Sequence, residues 1–157
     1  MNFKKSKVRV GSFAGFPLYC RLLVDRFASH SCLSGFVPVE LCNLEYLPER
    51  GSAIDPHHDD WWLWGERLVT LNLLSDTFLT FTDDSQPDLS VLVRVPRRAV
   101  VVVSGPARYQ WKHAIQRRHV TLRRIAMTFR ELSAEFADGG ASDTVGRELL
   151  TVASNYV

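Results

Sequence analysis

At 157 residues, 46% hydrophobic and 23% charged, the chain has the size and composition of one globular domain, which excludes disordered, collagen-like and coiled-coil classes. Its longest uninterrupted apolar run is Ala99 to Val103, far short of the roughly 20 residues of a bilayer span. No apolar stretch follows the basic start Lys4, Lys5 and Lys7, so no membrane partner is expected. The net charge of +2 hides an asymmetry: between Arg94 and Arg130 there are ten Lys or Arg and no Asp or Glu. Acidic residues gather instead at Asp55, Asp59, Asp60 and Glu66, and again at Asp76, Asp83, Asp84 and Asp88. A basic run of this kind is either a solvated face or an anion-binding one.

Along the chain, Leu18, Leu22, Leu23 and Phe27 recur at helical spacing behind Pro17 and predict a helix ending near Ser29. Strands are then predicted over 39–47, 67–74, 78–82, 89–95, 99–104, 109–114 and 122–129. Turn clusters such as Pro48-Glu49-Arg50-Gly51, Asp83-Asp84-Ser85-Gln86-Pro87 and Ser104-Gly105-Pro106 separate them. Residues 138–142 read as a loop, and 144–153 as a closing helix with Val145, Leu149 and Leu150 inward. Many short strands and few helices predict a mainly β fold, a sandwich or jelly roll with flanking helices. Cys20, Cys32 and Cys42 are odd in number and lack a C-x-x-C spacing, which argues against a disulfide framework and a zinc knuckle. They suit a reducing compartment, cytoplasm or nucleus.

The segment Ile54-Asp55-Pro56-His57-His58-Asp59-Asp60 holds two overlapping His-x-Asp pairs, His57 with Asp59 and His58 with Asp60. In extended chain, residues i and i+2 share a face, so either pair offers one metal an imidazole and a carboxylate. A third ligand must come from elsewhere; His113 is the best placed, with His119 and His30 as alternatives. Two His and one carboxylate leave three positions open on an octahedral ion, the pattern of non-haem Fe(II) oxygenases. By itself a His-x-Asp pair more often marks a hydrogen-bonded turn. Along the last strand, alternation sends Ile125, Met127 and Phe129 to one face and Arg124, Ala126, Thr128 and Arg130 to the other. That pattern fits two solvated arginines, the commoner arrangement, or a pair around one small dianion. G-x-G-x-x-G, P-loop and G-x-S-x-G motifs are absent, which removes the common nucleotide and hydrolase readings.

Several runs together are specific: Cys42-Asn43-Leu44-Glu45-Tyr46, Pro48-Glu49-Arg50-Gly51-Ser52-Ala53-Ile54-Asp55-Pro56-His57, and Asp59-Asp60 with Trp62-Leu63-Trp64-Gly65-Glu66-Arg67-Leu68-Val69. Gln110-Trp111-Lys112-His113-Ala114-Ile115 and Thr128-Phe129-Arg130-Glu131-Leu132-Ser133-Ala134-Glu135-Phe136 complete the set. In these runs the chain resembles the AlkB family of Fe(II)- and 2-oxoglutarate-dependent dioxygenases, and within it the fourth-homologue branch of animals, from Asn2 to about Leu150. The resemblance implies a double-stranded β-helix, the jelly roll of that family, over residues 1–157 as a single catalytic domain. The stretch ahead of Asn43 is shorter than the family carries, so an N-terminally truncated form is expected.

Matched residue by residue, the resemblance makes His57, Asp59 and His113 the Fe(II) ligands and Arg124 the partner of the far carboxylate of 2-oxoglutarate. Arg130 matches a second active-site arginine and Tyr46 a tyrosine that hydrogen-bonds the cosubstrate, with Asn43 near it; O2 is the co-oxidant. Ala126 stands where nucleic-acid dealkylases of the family usually carry Asn, which weighs against base repair. The branch implies demethylation of methyl-lysine on a protein, actin being the associated substrate, with formaldehyde and succinate as products. Trp61, Trp62 and Trp64 beside Asp60 and Glu66 are then candidates for a wall around a methylated ammonium, although packing is the commoner role for at least two of the three tryptophans. Methylated adenine in DNA is the alternative substrate, and a catalytically silent interaction module the third reading.

Overall fold

Alternating Val, Leu, Thr and Phe fit a pleated, half-buried surface, and in the computed structural model they form eight strands among the described residues, which are Val8, Val10–Ser12 and 14–157. The basic start at Lys4, Lys5 and Lys7 lies outside the described residues. The strands are β1 (Pro38–Tyr46), β2 (Ile54–His57), β3 (Trp64–Leu73), β4 (Thr77–Asp83), β5 (Gln86–Val95), β6 (Val100–Val103), β7 (Lys112–Ile115) and β8 (Arg124–Leu132). They make two antiparallel four-stranded sheets, ordered β1-β8-β3-β6 and β2-β7-β4-β5. Pairing first with last, second with seventh and so inward, across two sheets, is the jelly-roll topology.

One core lies on the outer face of the first sheet. There Val69, Leu71, Met127 and Phe129 meet Phe16, Phe27, Leu33 and Phe36, and Phe129 is fully buried with the Phe27 ring edge-on at 5.2 Å. Helices α1 (Cys20–Ala28) and α3 (Asp143–Ala153) cover this face. A second apolar layer lies between the sheets, in two clusters around Tyr46, Ile115 and Ala126 and around Leu68, Phe81 and Val103. No helix among the described residues is long and apolar enough to cross a membrane.

Some elements differ from expectation. The buried stripe of α1 is Cys20, Leu23, Val24 and Phe27, whereas Leu18 and Leu22 are 65% and 77% exposed. The helix begins one turn after Pro17, and this rotates its apolar face. In α3, Leu149 is buried but Leu150 points outward. The inward stripe there runs through Gly146, where a Cβ would lie 1.9 Å from the Phe136 carbonyl oxygen. The strand expected over 109–114 starts only at Lys112, because Pro106–Tyr109 forms a short helical turn, α2, behind Gly105 at φ +56°. Strand β2 was not expected: it has four residues, one of them Pro56, and its pairing with β7 is irregular.

The face of β8 carrying Arg124 and Arg130 is interior rather than solvated. Arg124 is 3% exposed, and both arginines line the space between the sheets. With α1 and α3 packed on the Met127 face and the second sheet on the other, both faces of β8 are covered.

Candidate active site

Antiparallel pairing of β2 with β7 sets His57 opposite His113, with ring centroids 4.4 Å apart. Asp59, just past β2, brings its Oδ1 to 3.7 Å from His57 Nε2. One ligand atom from each of His57, Asp59 and His113 falls within 4.8 Å of the others. The His57 Nδ1–H donates to the Asp55 carbonyl at 2.8 Å. A carbonyl only accepts, so this bond selects the tautomer whose Nε2 lone pair is free for a metal. Burial, then the neighbouring His57, lowers the His113 pKa to about 4, so its imidazole is neutral at pH 7, the form that ligates. Two imidazoles and one carboxylate are a donor set that fits Fe(II).

His58 is not part of the cluster. Its ring turns toward Trp61, centroids 5.1 Å apart, as strand parity requires of a residue next to His57. His119 lies in the turn before β8 with its ring on Phe78, and neither it nor His30 joins the cluster.

The carboxyl of Asp59 feels burial, which would raise its pKa, but Arg130, His113 and His57 together hold it below the usual carboxylate range. Arg130 Nε and Nη2 donate to Asp59 at 3.1 and 3.4 Å, and its Nη1 donates to Glu40 at 2.6 Å. Glu40 stands opposite Arg130 in the β1–β8 register. The guanidinium is therefore engaged by two carboxylates and lies 5.7 Å from the Trp64 ring. It orients Asp59, while Arg124 and Arg130 both line the pocket between the sheets.

Arg124 has no carboxylate partner among the described residues. Its Nε donates to Asn72 Oδ1, its guanidinium lies 4.7 Å from the Tyr46 ring, and its buried Nη1 has no partner. Burial lowers its pKa, partly offset by Tyr46, and burial likewise raises that of the Tyr46 phenol. A buried cation with a free donor is costly unless an anion completes it. Arg124, Tyr46, His57, Asp59 and His113 all line one pocket between the sheets, so the arginine with the free donor shares that pocket with the three potential ligands.

Asn43 does not line this pocket. It stands opposite Met127 in the β1–β8 register and is exposed, whereas Tyr46 and Leu44, opposite Arg124 and Ala126, point inward. Trp62, Trp64 and Glu66 line a separate open cleft of about 590 Å³, together with Trp61 and Tyr109. Asp60 is not in that lining; its carbonyl accepts from the Trp64 amide at 2.9 Å. None of the three tryptophans is fully buried, and Trp61 is 50% exposed.

Sequence reasoning missed three residues. Asn72, fully buried, sits opposite Ala126; a lone amide on the inward phase of Leu68, Thr70 and Asn72 was the available signal. Glu40 carried no such signal. Neither did Arg108, which is 1% exposed and donates to the carbonyls of Asp59, Trp64 and Gly65 at 3.0, 3.4 and 3.4 Å. It pins the loop that presents Asp59.

No protein-family model matches the chain. The chain is 45% identical over 185 residues to human "Alpha-ketoglutarate-dependent dioxygenase alkB homolog 4", covering 99% of this chain and 61% of that protein. With the mouse protein of the same name it shares 43% identity, covering 99% and 62%. It is 37% identical to a Caenorhabditis elegans "DNA N6-methyl adenine demethylase", covering 96% of this chain and 52% of that protein. The chain thus spans about three fifths of the human and mouse relatives and about half of the worm one. Among solved structures, the Drosophila melanogaster CENP-C cupin domain aligns with a TM-score of 0.42 at 10% identity, covering 58% of this chain and 59% of that one. OsALKBH1 aligns at 0.35 and 18%, covering 43% and 35%.

Proposed function

We propose, for a chain that is a homologue of the AlkB family across nearly its whole length, an Fe(II)- and 2-oxoglutarate-dependent oxidative demethylase. Its substrate in this reading is monomethyl-lysine on a protein such as actin, with formaldehyde and succinate released, in cytoplasm and nucleus. The observation that carries the enzyme class is the buried Arg124, with an unpartnered Nη1, in the pocket lined by His57, Asp59 and His113.

In this reading His57, Asp59 and His113 hold the iron. Bound Fe(II), with 2-oxoglutarate and O2, supplies the two-electron oxidation of an N-methyl carbon, coupled to decarboxylation of 2-oxoglutarate to succinate. Arg124 binds the distal carboxylate through its free donor, and Asn72 and the Tyr46 ring fix the guanidinium plane in advance. Arg130, held by Glu40, keeps Asp59 ionised and aimed inward. Leu44, Ile54, Leu68 and Val103 line the same pocket and exclude water from it.

The protein substrate is supported by Ala126 in place of the amide usual in nucleic-acid dealkylases of the family, and by the carboxylates of the outer cleft, which disfavour a phosphate backbone. A second reading, demethylation of N6-methyladenine in DNA, is favoured by the likeness to the worm protein. The test has two stages. Succinate formation from 2-oxoglutarate on adding Fe(II), without substrate, separates an enzyme from a silent interaction module. Formaldehyde release from a monomethyl-lysine peptide against N6-methyladenine DNA, at matched salt, separates the two enzymes, and release from the DNA alone would overturn the protein reading.

A further inference from the structure

The cleft lined by the tryptophans shares no lining residue with the interior pocket. It is built around an irregular bulge in β3: Trp64 stands opposite Leu132 and Leu68 opposite Arg130, so residues 65–67 face Glu131 alone. Bulges re-aim side chains. Here Gly65 leaves the floor of the cleft bare, because a Cβ would lie 2.7 Å from the Leu132 carbonyl oxygen. The bulge also turns Arg67 onto Glu131, its Nη2 at 2.7 Å, while Glu66 is exposed.

The walls are aromatic and the charge is negative. Trp61 and Tyr109, 50% and 37% exposed, meet edge-on with centroids 6.1 Å apart. Among the described residues Glu66 and Glu135 form no salt bridge: Glu66 accepts the Gly105 amide and hydrogen-bonds the Tyr109 hydroxyl, with Arg67 and Arg108 near enough to feel its charge, and Glu135 Oε1 accepts the Ser142 hydroxyl. Exposed aromatic rings beside exposed carboxylates that form no salt bridge select a cation by ring quadrupole and charge together, and they repel a phosphate.

We propose that this cleft is a second docking site, for an unreacted lysine or arginine side chain of a polypeptide partner. Since the cleft and the ligand cluster are separate, the cation held here is not the one oxidised; it anchors the partner beside the interior pocket. That the partner is the substrate protein rests on the preceding reading, but the docking chemistry does not.

The test uses the full chain without iron, with labelled hexalysine as probe and fluorescence anisotropy as readout. Trp61→Ala should weaken binding about 3- to 30-fold, the range for loss of one cation–π contact, and Glu66→Gln should weaken it measurably, whereas Asp88→Asn on β5 should not. Equal affinity in parent, Trp61→Ala and Glu66→Gln would overturn the proposal. So would hexaglutamate binding as tightly, or a dodecamer of single-stranded DNA binding in a Trp61-dependent way, which would mark a base-stacking platform. The readout involves no turnover, so its failure leaves the demethylase reading standing, and an inactive chain can still pass it.

Discussion

Asn72 turns its side-chain carbonyl to Arg124 Nε across adjacent strands β3 and β8, while its Nδ2 donates to the carbonyls of Ser75, Val95 and Pro96 at 2.9, 3.1 and 2.9 Å. The three acceptors identify that end as the amide nitrogen, so the end facing Arg124 must be oxygen. One buried amide thus ties the β3–β4 turn and the end of β5 to the arginine.

Asn72→Ala should therefore damage both stability and cosubstrate binding. Each buried group left unpaired costs about 1–3 kcal/mol, so urea midpoints should fall clearly. Asn72→Asp is the sharper variant: it gives Arg124 an internal counter-charge that competes with the distal carboxylate of 2-oxoglutarate. Anaerobic titration should show at least tenfold weaker 2-oxoglutarate binding to Asn72→Asp. An unchanged affinity would show that Arg124 is not the anchor.

Arg124 and Arg123 make a natural comparison. Truncating one member of a buried, hydrogen-bonded charge pair costs about 2–5 kcal/mol, so Arg124→Ala should weaken 2-oxoglutarate binding roughly 30-fold to several thousand-fold, with iron binding little changed. Arg123 faces outward onto Glu45, Nε to Oε1 2.7 Å, and Arg123→Ala should stay within a few-fold of the parent. A larger loss in Arg123→Ala than in Arg124→Ala would contradict the β8 register.

The sequence reveals an interior site only as far as alternation reaches. His57 with Asp59, and Arg124 with Arg130, each share a face by parity, and the structure places both pairs on the pocket between the sheets. Alternation does not say what covers a face, so a solvated Arg124 was the natural expectation until the second sheet packed over it. Nor does it show pairing across strands. Glu40 captures Arg130, and Asn72 meets Arg124, through registers that bring together residues 90 and 52 positions apart in the chain. Asn43 was misplaced for a related reason: closeness to Tyr46 in a motif suggests a shared site, but an odd spacing along β1 puts the two on opposite faces.

The overlapping His-x-Asp pairs are separated by substitution. His57→Ala should abolish iron-dependent succinate formation and weaken Fe(II) binding, because it removes an Nε2 set by the Asp55 carbonyl. Asp59→Ala should do the same, whereas His58→Ala, which loses a contact with Trp61, should retain most activity. Equal losses in His57→Ala and His58→Ala, at preserved folding by circular dichroism, would sink the ligand assignment.

His113 predicts a pH dependence in the iron-free chain. Its folded pKa of about 4, set first by burial and then by His57, lies below the roughly 6.5 of an exposed imidazole. Between those values the unfolded chain binds a proton that the folded chain refuses, so folding stability falls as pH falls through that window and levels off below it. Asp59, held below the usual carboxylate range, contributes only at lower pH, where protonation of the unfolded chain removes its stabilisation. His58 and His119, also lowered by burial, act in the same direction as His113 but are common to parent and variant. The melting temperature of the parent should therefore drop by several degrees more between pH 7.5 and pH 5.0 than that of His113→Gln, a size expected from about 1 kcal/mol or more in a domain of this length. Thermal melts of both proteins in the presence of a chelator measure the difference. Parallel pH profiles would mean that the His113 imidazole is not held neutral by the fold.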